Sequence, residues 1–278
     1  MKAVAGDATV LALHGPRADD GPISGVVPVL NSIEQLAHWR AHGRGTPCDV
    51  MVDTGMNRLG IDWREISTDM LDDLNVGTIH SHLACADDPT NPLNEAQLAR
   101  FREIVRDFRA VRPDVNASLC GSGGICLGED YIFDLTRPGL GLYGGVPNPT
   151  AEGELEQVVR PIAEIILIRE VRKGDSVGYG ATWTAEADTR VATMNIGYAD
   201  GAPVIFSNLA CANLSGERCA IVGRVSMDLM TIDIGTIPAA PGDEVELSFR
   251  LPEAAALSGR TQYELLTGLG SRYQRRYR

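Results

Sequence analysis

Up to about residue 140, short apolar runs alternate with segments of helical spacing. TVLALHG (9–15), GVVPVLNS (25–32), DVMVDTG (49–55), NVGTIHSHLA (75–84), DVNASLC (114–120) and DYIFDLTRPG (130–139) read as six strands. Between them, SIEQLAHW (32–39) reads as a helix with Ser32 as its N-cap, and EISTDMLDDL (65–74) as another. NEAQLARFREIVRDFRAV (94–111) puts Leu98, Phe101, Ile104, Val105 and Phe108 on one helical face. Near-continuous apolar strands separated by helices are the mark of a buried parallel sheet. Polar residues gather where these strands end: Arg58, His82, Ser122 and Arg137. In a (β/α) barrel such ends share one face, and that face carries the site. A closed barrel needs eight strands, and six are legible.

From about residue 157 the pattern changes to alternating strands with Gly, Asp and Pro at the turns: EQVVRPIAEIILIREVRKGDSVGYG, VATMNIGYADG, CAIVGRVSMDLMTIDIG and DEVELSFR. YELLTGLGSRYQRRYR follows as a short helix and an arginine-rich tail. The expected organisation is α/β: an incomplete (β/α) barrel over 1–156, then a C-terminal β domain over 157–278. The glycine-rich RPGLGLYGG (137–145) falls where the two halves meet, the kind of junction at which sites are commonly built.

The formal charge of −12 argues against nucleic acid or an anionic membrane as a partner, while local arginines can still hold a small anionic cofactor. Only Lys2 and Lys173 are lysines, so an amine nucleophile has two candidates. The six cysteines form no C-x-x-C pair and follow no signal peptide, and no run reaches the ~18–20 apolar residues of a membrane span. A cytoplasmic protein with reduced thiols is expected.

Taken singly, the candidate residues leave their readings open. CGSGG (120–124), after a strand and opening a short helix, suits a phosphate, or is an ordinary glycine turn. His80 and His82 lie two apart on a strand with Asp87 and Asp88 downstream. No third ligand stands out, so pocket-lining histidines are favoured over a metal site. Arg137 either lines a pocket or pairs with a carboxylate. Tyr179, between two glycines, is a turn tyrosine or a catalytic one, and Asp228 is an acid or an exposed loop carboxylate.

In order along the chain, VDTGMNRLG, HSHLACADDP, RPGLGLYGG, VGYGATWTA, GYADG and GRVSMDLMTID span residues 52–233 and together resemble the alanine racemase family. The resemblance implies an eight-stranded (β/α) barrel followed by a β domain. It also implies pyridoxal 5′-phosphate as electron sink, interconversion of L- and D-alanine for D-alanine supply to the cell wall, and a homodimer with shared sites. Tyr179 matches the tyrosine that exchanges the α-proton, reaching across from the partner subunit. A phenol becomes a base near neutrality only beside cationic neighbours. His82 matches a pocket histidine, and Arg137 the arginine facing the pyridine nitrogen, which thereby stays unprotonated and weakens the sink. Ser122, with the backbones of Gly139 and Leu140, matches the phosphate site. Arg58 and Met227 match the substrate-contacting arginine and methionine, the latter acting through its backbone and from the partner chain.

The sequence departs from the family in three places. The family's imine-forming lysine ends the first barrel strand, but Lys2 precedes a segment unlike that motif and Lys173 belongs to the β domain. With two strands also unread, the expectation is a chain lacking the N-terminal part of the barrel, inactive as a 278-residue polypeptide and with exposed strand edges. Met51 stands where some members carry a lysine that orients Arg58. The C-terminal phosphate tyrosine is nearest to Tyr273, although Ser271 is the more literal match. Two alternatives are a non-catalytic dimerising or cofactor-binding derivative, and a racemase of another amino acid such as serine.

Overall fold

The computed structural model describes residues 6–17, 19–20 and 25–277, so Lys2 lies outside the described residues. The chain divides into two compact units. One holds residues up to Gly141 with Pro147–Glu154; the other holds Leu142–Val146 and the chain from Leu155 onward.

The first unit is built on parallel strands β1 (Leu11–Ala12), β2 (Val27–Leu30), β3 (Cys48–Asp53), β4 (Ile61–Asp62), β5 (Val76–His80) and β6 (Asn116–Ser118). Their order is β1-β2-β3-β5-β6, with β4 attached to β3. Helix α1 (Ile33–His42) starts at Ser32, whose side chain accepts from the Gln35 N–H. Helix α2 (Pro92–Val111) starts with Pro92, and the Asn91 side chain accepts from the Leu93 N–H. The apolar face read from the sequence (Leu98, Phe101, Ile104, Val105, Phe108) is buried in one core with Val50, Val52, Ile79 and Leu119. Each such side chain contributes about 1.5–3 kcal/mol by leaving water, so this face dominates the helix's stability.

Two expectations fail here. DYIFDLTRPG is not a strand: a helical turn at Glu129–Tyr131 precedes a segment that forms no ladder with the sheet and meets it at a Gly121–Arg137 bridge and a Leu135 N–H bond to the Ala117 carbonyl at 3.2 Å. The Asp134 carboxylate accepts the Ala117 N–H at 2.7 Å, in place of a ladder carbonyl, and Pro138 has no N–H to give. The sixth strand is instead the two-residue β4, too short to show a period. EISTDMLDDL yields only the turn Thr68–Leu71, where Ser, Thr and Asp compete locally for the backbone.

The second unit contains β7 (Ile162–Val171), β8 (Ser176–Val177), β9 (Trp183–Thr184), β10 (Thr189–Met194), β11 (Cys211–Leu214), β12 (Glu217–Ala220), β13 (Met230–Asp233) and β14 (Glu244–Leu247). Six of them form a sheet in the order β12-β11-β14-β7-β10-β13, paired antiparallel, while β8 and β9 make a separate hairpin. Ile165, Met194, Phe206, Leu214 and Ile232 are central to its core. Among the described residues no helix is long and apolar enough to cross a membrane.

Candidate active site

In the first unit the site grows from the C-terminal ends of β3, β5 and β6. After β3 the chain wraps around Asp53. One carboxylate oxygen accepts from the N–H groups of Gly55 and Met56, both at 2.8 Å, and the other from that of Arg58 at 3.0 Å. This turn presents Arg58 to solvent, with no hydrogen bond to its guanidinium among the described residues. Met51, at the position of the orienting lysine, is buried in β3 and makes no such bond.

Arg137 is the hub. One terminal nitrogen donates to the Ser118 carbonyl at 3.0 Å, to the Ser118 hydroxyl, and to His80 Nδ1 at 3.3 Å. The other donates to the carbonyls of Ser81 and Leu119 and to His82 Nδ1 at 3.3 Å. Its Nε–H makes no hydrogen bond among the described residues, so one donor of the fork is left over. Burial lowers the guanidinium's pKa. The group only donates, so both imidazoles meet it through a lone pair.

His82 is pushed down to about 4, first by burial and then by the cations Arg137 and Arg58. It is therefore neutral at physiological pH. The unfolded chain binds this proton near pH 6.5 and the folded one only near 4. The associated stability is complete above 6.5 and disappears as pH falls to about 4, a change of about 3 kcal/mol. A histidine-resolved NMR titration reads the midpoint directly; a value of 6 or above contradicts this description.

Ser122 opens the short helix α3 (Ser122–Cys126). Its hydroxyl oxygen accepts from the N–H of Gly139 at 2.9 Å and of Gly141 at 3.0 Å, which leaves the O–H free to donate. A Cβ on Gly121 would lie 3.3 Å from the Arg137 carbonyl oxygen and 3.6 Å from the His82 ring, so the residue's smallness lets these elements close together. Leu140 is buried in the helical turn that follows. Among the described residues no three His, Cys, Asp or Glu side chains are grouped to hold a metal ion.

In the second unit Tyr179 stands between Gly178 and Gly180, both at positive φ, with 73% of its surface exposed. Met227 is 54% exposed. Its carbonyl accepts from the Ala199 N–H at 2.9 Å, whereas its own N–H makes no hydrogen bond among the described residues. Asn208 ties these loops together: it donates to the Thr182 hydroxyl at 3.1 Å and accepts from the Gly223 N–H at 2.6 Å. Arg272 bridges Asp200 at 2.8 Å and Asp228 at 2.7 Å, which makes Asp228 a paired loop carboxylate. Tyr273 packs against the core, and its buried hydroxyl has no partner. Burial pushes that phenol up to about 12, so it stays a neutral donor. Lys173 lies on the turn between β7 and β8, its N–H donating to Asp188 at 2.8 Å.

Thus Arg137, His82, Ser122 and Gly139 come together within the first unit. Asp49, His80, Ser118 and Asp53 join them without having been singled out, apart from the weak mark of His80 beside His82. Asn208 and Arg272 are likewise new, because their partners are distant in sequence.

A strand-end arginine hub and a serine taking backbone amides from a glycine loop stand in the first unit, and an antiparallel β sheet makes up the core of the second. Family models described as "Alanine racemase, N-terminal domain" and "Alanine racemase, C-terminal domain" match residues 2–147 and 158–277. The alanine racemase of Rhodospirillum rubrum is 41% identical over 98% of this chain and 76% of that protein. The catabolic alanine racemase of Agrobacterium fabrum is 41% identical over 91% of this chain and 68% of its own length. Among solved structures, the Bartonella henselae alanine racemase with covalently bound pyridoxal phosphate superposes with a TM-score of 0.84 at 32% identity, covering 98% of this chain and 79% of that one. The biosynthetic enzyme of Pseudomonas aeruginosa gives 0.83 and 33%, over 100% and 81%. The chain belongs to the alanine racemase family and is by that membership an isomerase.

Proposed function

We propose that this chain is built to interconvert L- and D-alanine with pyridoxal 5′-phosphate held at the Arg137–Ser122 end of the first unit; the imine needs a lysine besides, and the described residues hold only Lys173, in the second unit. The observation that carries the reading is the Arg137 fork: both terminal nitrogens are committed to protein, and Nε–H alone remains to donate to an acceptor. An acceptor fits a ring nitrogen that keeps its lone pair. When bound, the cofactor supplies the electron sink that makes alanine's α-proton acidic. The Ser122 hydroxyl, left free to donate, and the loop of Gly139 and Leu140 around it hold its phosphate, with Tyr273 as the tyrosine that the resemblance assigns to it. His82, kept neutral by its neighbours, lines the pocket without adding charge. Arg58 and the free N–H of Met227 hold the substrate carboxylate. Tyr179 exchanges the α-proton on one face of the substrate.

In this reading 1–156 binds the cofactor and 157–278 carries the tyrosine, and two chains pair so that each lends Tyr179 and Met227 to the other. The exposure of Tyr179, Met227, Leu209 and Leu229 on cross-tied loops of the second unit supports such an interface. A cytoplasmic place and the supply of D-alanine to the cell wall complete the reading.

Tyr179→Phe tests the assignment. With the cofactor supplied, exchange of alanine's α-proton into deuterated water should fall at least about 100-fold, with alanine affinity changed little. Unaltered exchange in that variant would remove Tyr179 from the mechanism.

A further inference from the structure

Asp49 is a charged residue in the middle of β3, 4% exposed, and His80 ends β5 with no exposure at all. A carboxylate buried this deep gains little for stability over an apolar residue of the same size, even when hydrogen-bonded to an imidazole, so its presence asks for another explanation. The pairing of β3 with β5 shifts register between Cys48 and Val50, where Gly77 and Thr78 of β5 stand against Asp49 alone, so the extra residue lies in β5. Bulges re-aim side chains and are frequent beside active sites. Here the irregularity leaves the Thr78 N–H to be met by the Asp49 carboxylate. One oxygen accepts the Thr78 N–H at 2.9 Å and the other lies 2.9 Å from His80 Nε2. The opposite ring nitrogen, Nδ1, lies 3.3 Å from Arg137. A guanidinium only donates and a carboxylate only accepts, so both contacts demand the same form of the ring, with its proton on Nε2. No carboxylate pairs directly with Arg137 among the described residues. Asp49 reaches it only through this imidazole.

We propose that Asp49 and His80 are positioning residues for Arg137: a buried carboxylate–imidazole pair that fixes the His80 tautomer, and through it the orientation of the guanidinium toward the cofactor ring. What Arg137 faces rests on the function proposed above; the pair itself does not. The logic is that of outer partners that orient a ligand-binding group, whose loss typically weakens the ligand 10–100-fold. His82 meets the other Arg137 nitrogen, but no carboxylate stands behind it among the described residues, so nothing there fixes its tautomer as Asp49 fixes that of His80.

The test begins with 15N NMR of the histidine-labelled chain, which should show His80 protonated at Nε2. In Asp49→Asn the Thr78 N–H claims the amide oxygen, and the amide nitrogen can only donate to His80. The ring should then carry its proton on Nδ1, facing Arg137, and the Arg137 side-chain resonances should lose their fixed environment. Pyridoxal 5′-phosphate, titrated by fluorescence, should bind about tenfold more weakly. His80→Gln can donate to Asp49 and accept from Arg137, so its affinity should stay within about threefold of the native chain. His80→Leu, which can do neither, should lose affinity as Asp49→Asn does, whatever its melting temperature. A native His80 protonated at Nδ1, or native affinity in both Asp49→Asn and His80→Leu, overturns the proposal. If Arg137→Met also leaves affinity unchanged, the assignment of Arg137 to the cofactor fails instead, while the tautomer result still decides the pair.

Discussion

Arg137→Met is expected to cost about 2–3 kcal/mol of stability and to weaken pyridoxal 5′-phosphate binding at least about 100-fold. The stability loss follows from what the guanidinium holds. It joins the carbonyls of Ser118, Ser81 and Leu119, which belong to the ends of β5 and β6 and the chain just beyond them. Methionine fills the volume but leaves the Ser81 and Leu119 carbonyls without this donor in a half-buried place, while the Ser118 carbonyl keeps the Ser81 N–H at 2.9 Å. The figure stays below that for a fully buried ion pair because the group is partly solvated. The binding loss has a different source, the removal of the one donor not spent on the protein. Arg137→Lys separates the two. A lysine keeps charge and three donors but not the planar fork, so it should recover part of the stability and little of the affinity. Urea denaturation and a fluorescence titration read these effects independently. A methionine variant that binds as the native chain does contradicts the assignment.

In the second unit a large effect is expected from Gly197→Ala, on the turn that meets the Met227 loop. A Cβ there would lie 2.3 Å from the Met227 carbonyl oxygen and 2.4 Å from that of Ser226, both backbone atoms that no rotamer can move. The same carbonyls accept the Ala199 and Tyr198 N–H groups at 2.9 and 3.0 Å. Relieving the overlap means pulling the GYADG turn off the loop that carries Met227, with loss of both bonds. A cost of about 3 kcal/mol, or a melting temperature lower by roughly 10 °C, is expected, together with weaker alanine binding. A fully stable Gly197→Ala chain with a native circular dichroism melt would show that the turn and the Met227 loop are not locked together.

What could be read in advance followed from local periodicity. The face of α2, the Ser32 cap and the change from parallel to antiparallel patterning all reside in neighbouring residues. The segment 130–139 misled because its apolar spacing is strand-like while Asp134 and Pro138 withdraw it from the ladder. The family motifs delivered Arg137, His82 and Ser122. The groups that hold them stayed hidden, since Asp49 looks like an ordinary interruption in CDVMVD, and only the extra residue in β5 opposite it gives it the Thr78 N–H as a partner. Asn208 and Arg272 were illegible for the same reason: their partners Gly223 and Asp200 lie far along the chain, and no spacing rule connects them.

The central claim is that Arg137 offers the cofactor's ring a hydrogen bond without surrendering a proton. Binding pyridoxal 5′-phosphate labelled with 15N at the ring nitrogen and recording its chemical shift at neutral pH measures this directly. A shift in the unprotonated pyridine range, lost in Arg137→Met, is the predicted result. A protonated pyridinium in the native chain would contradict the account.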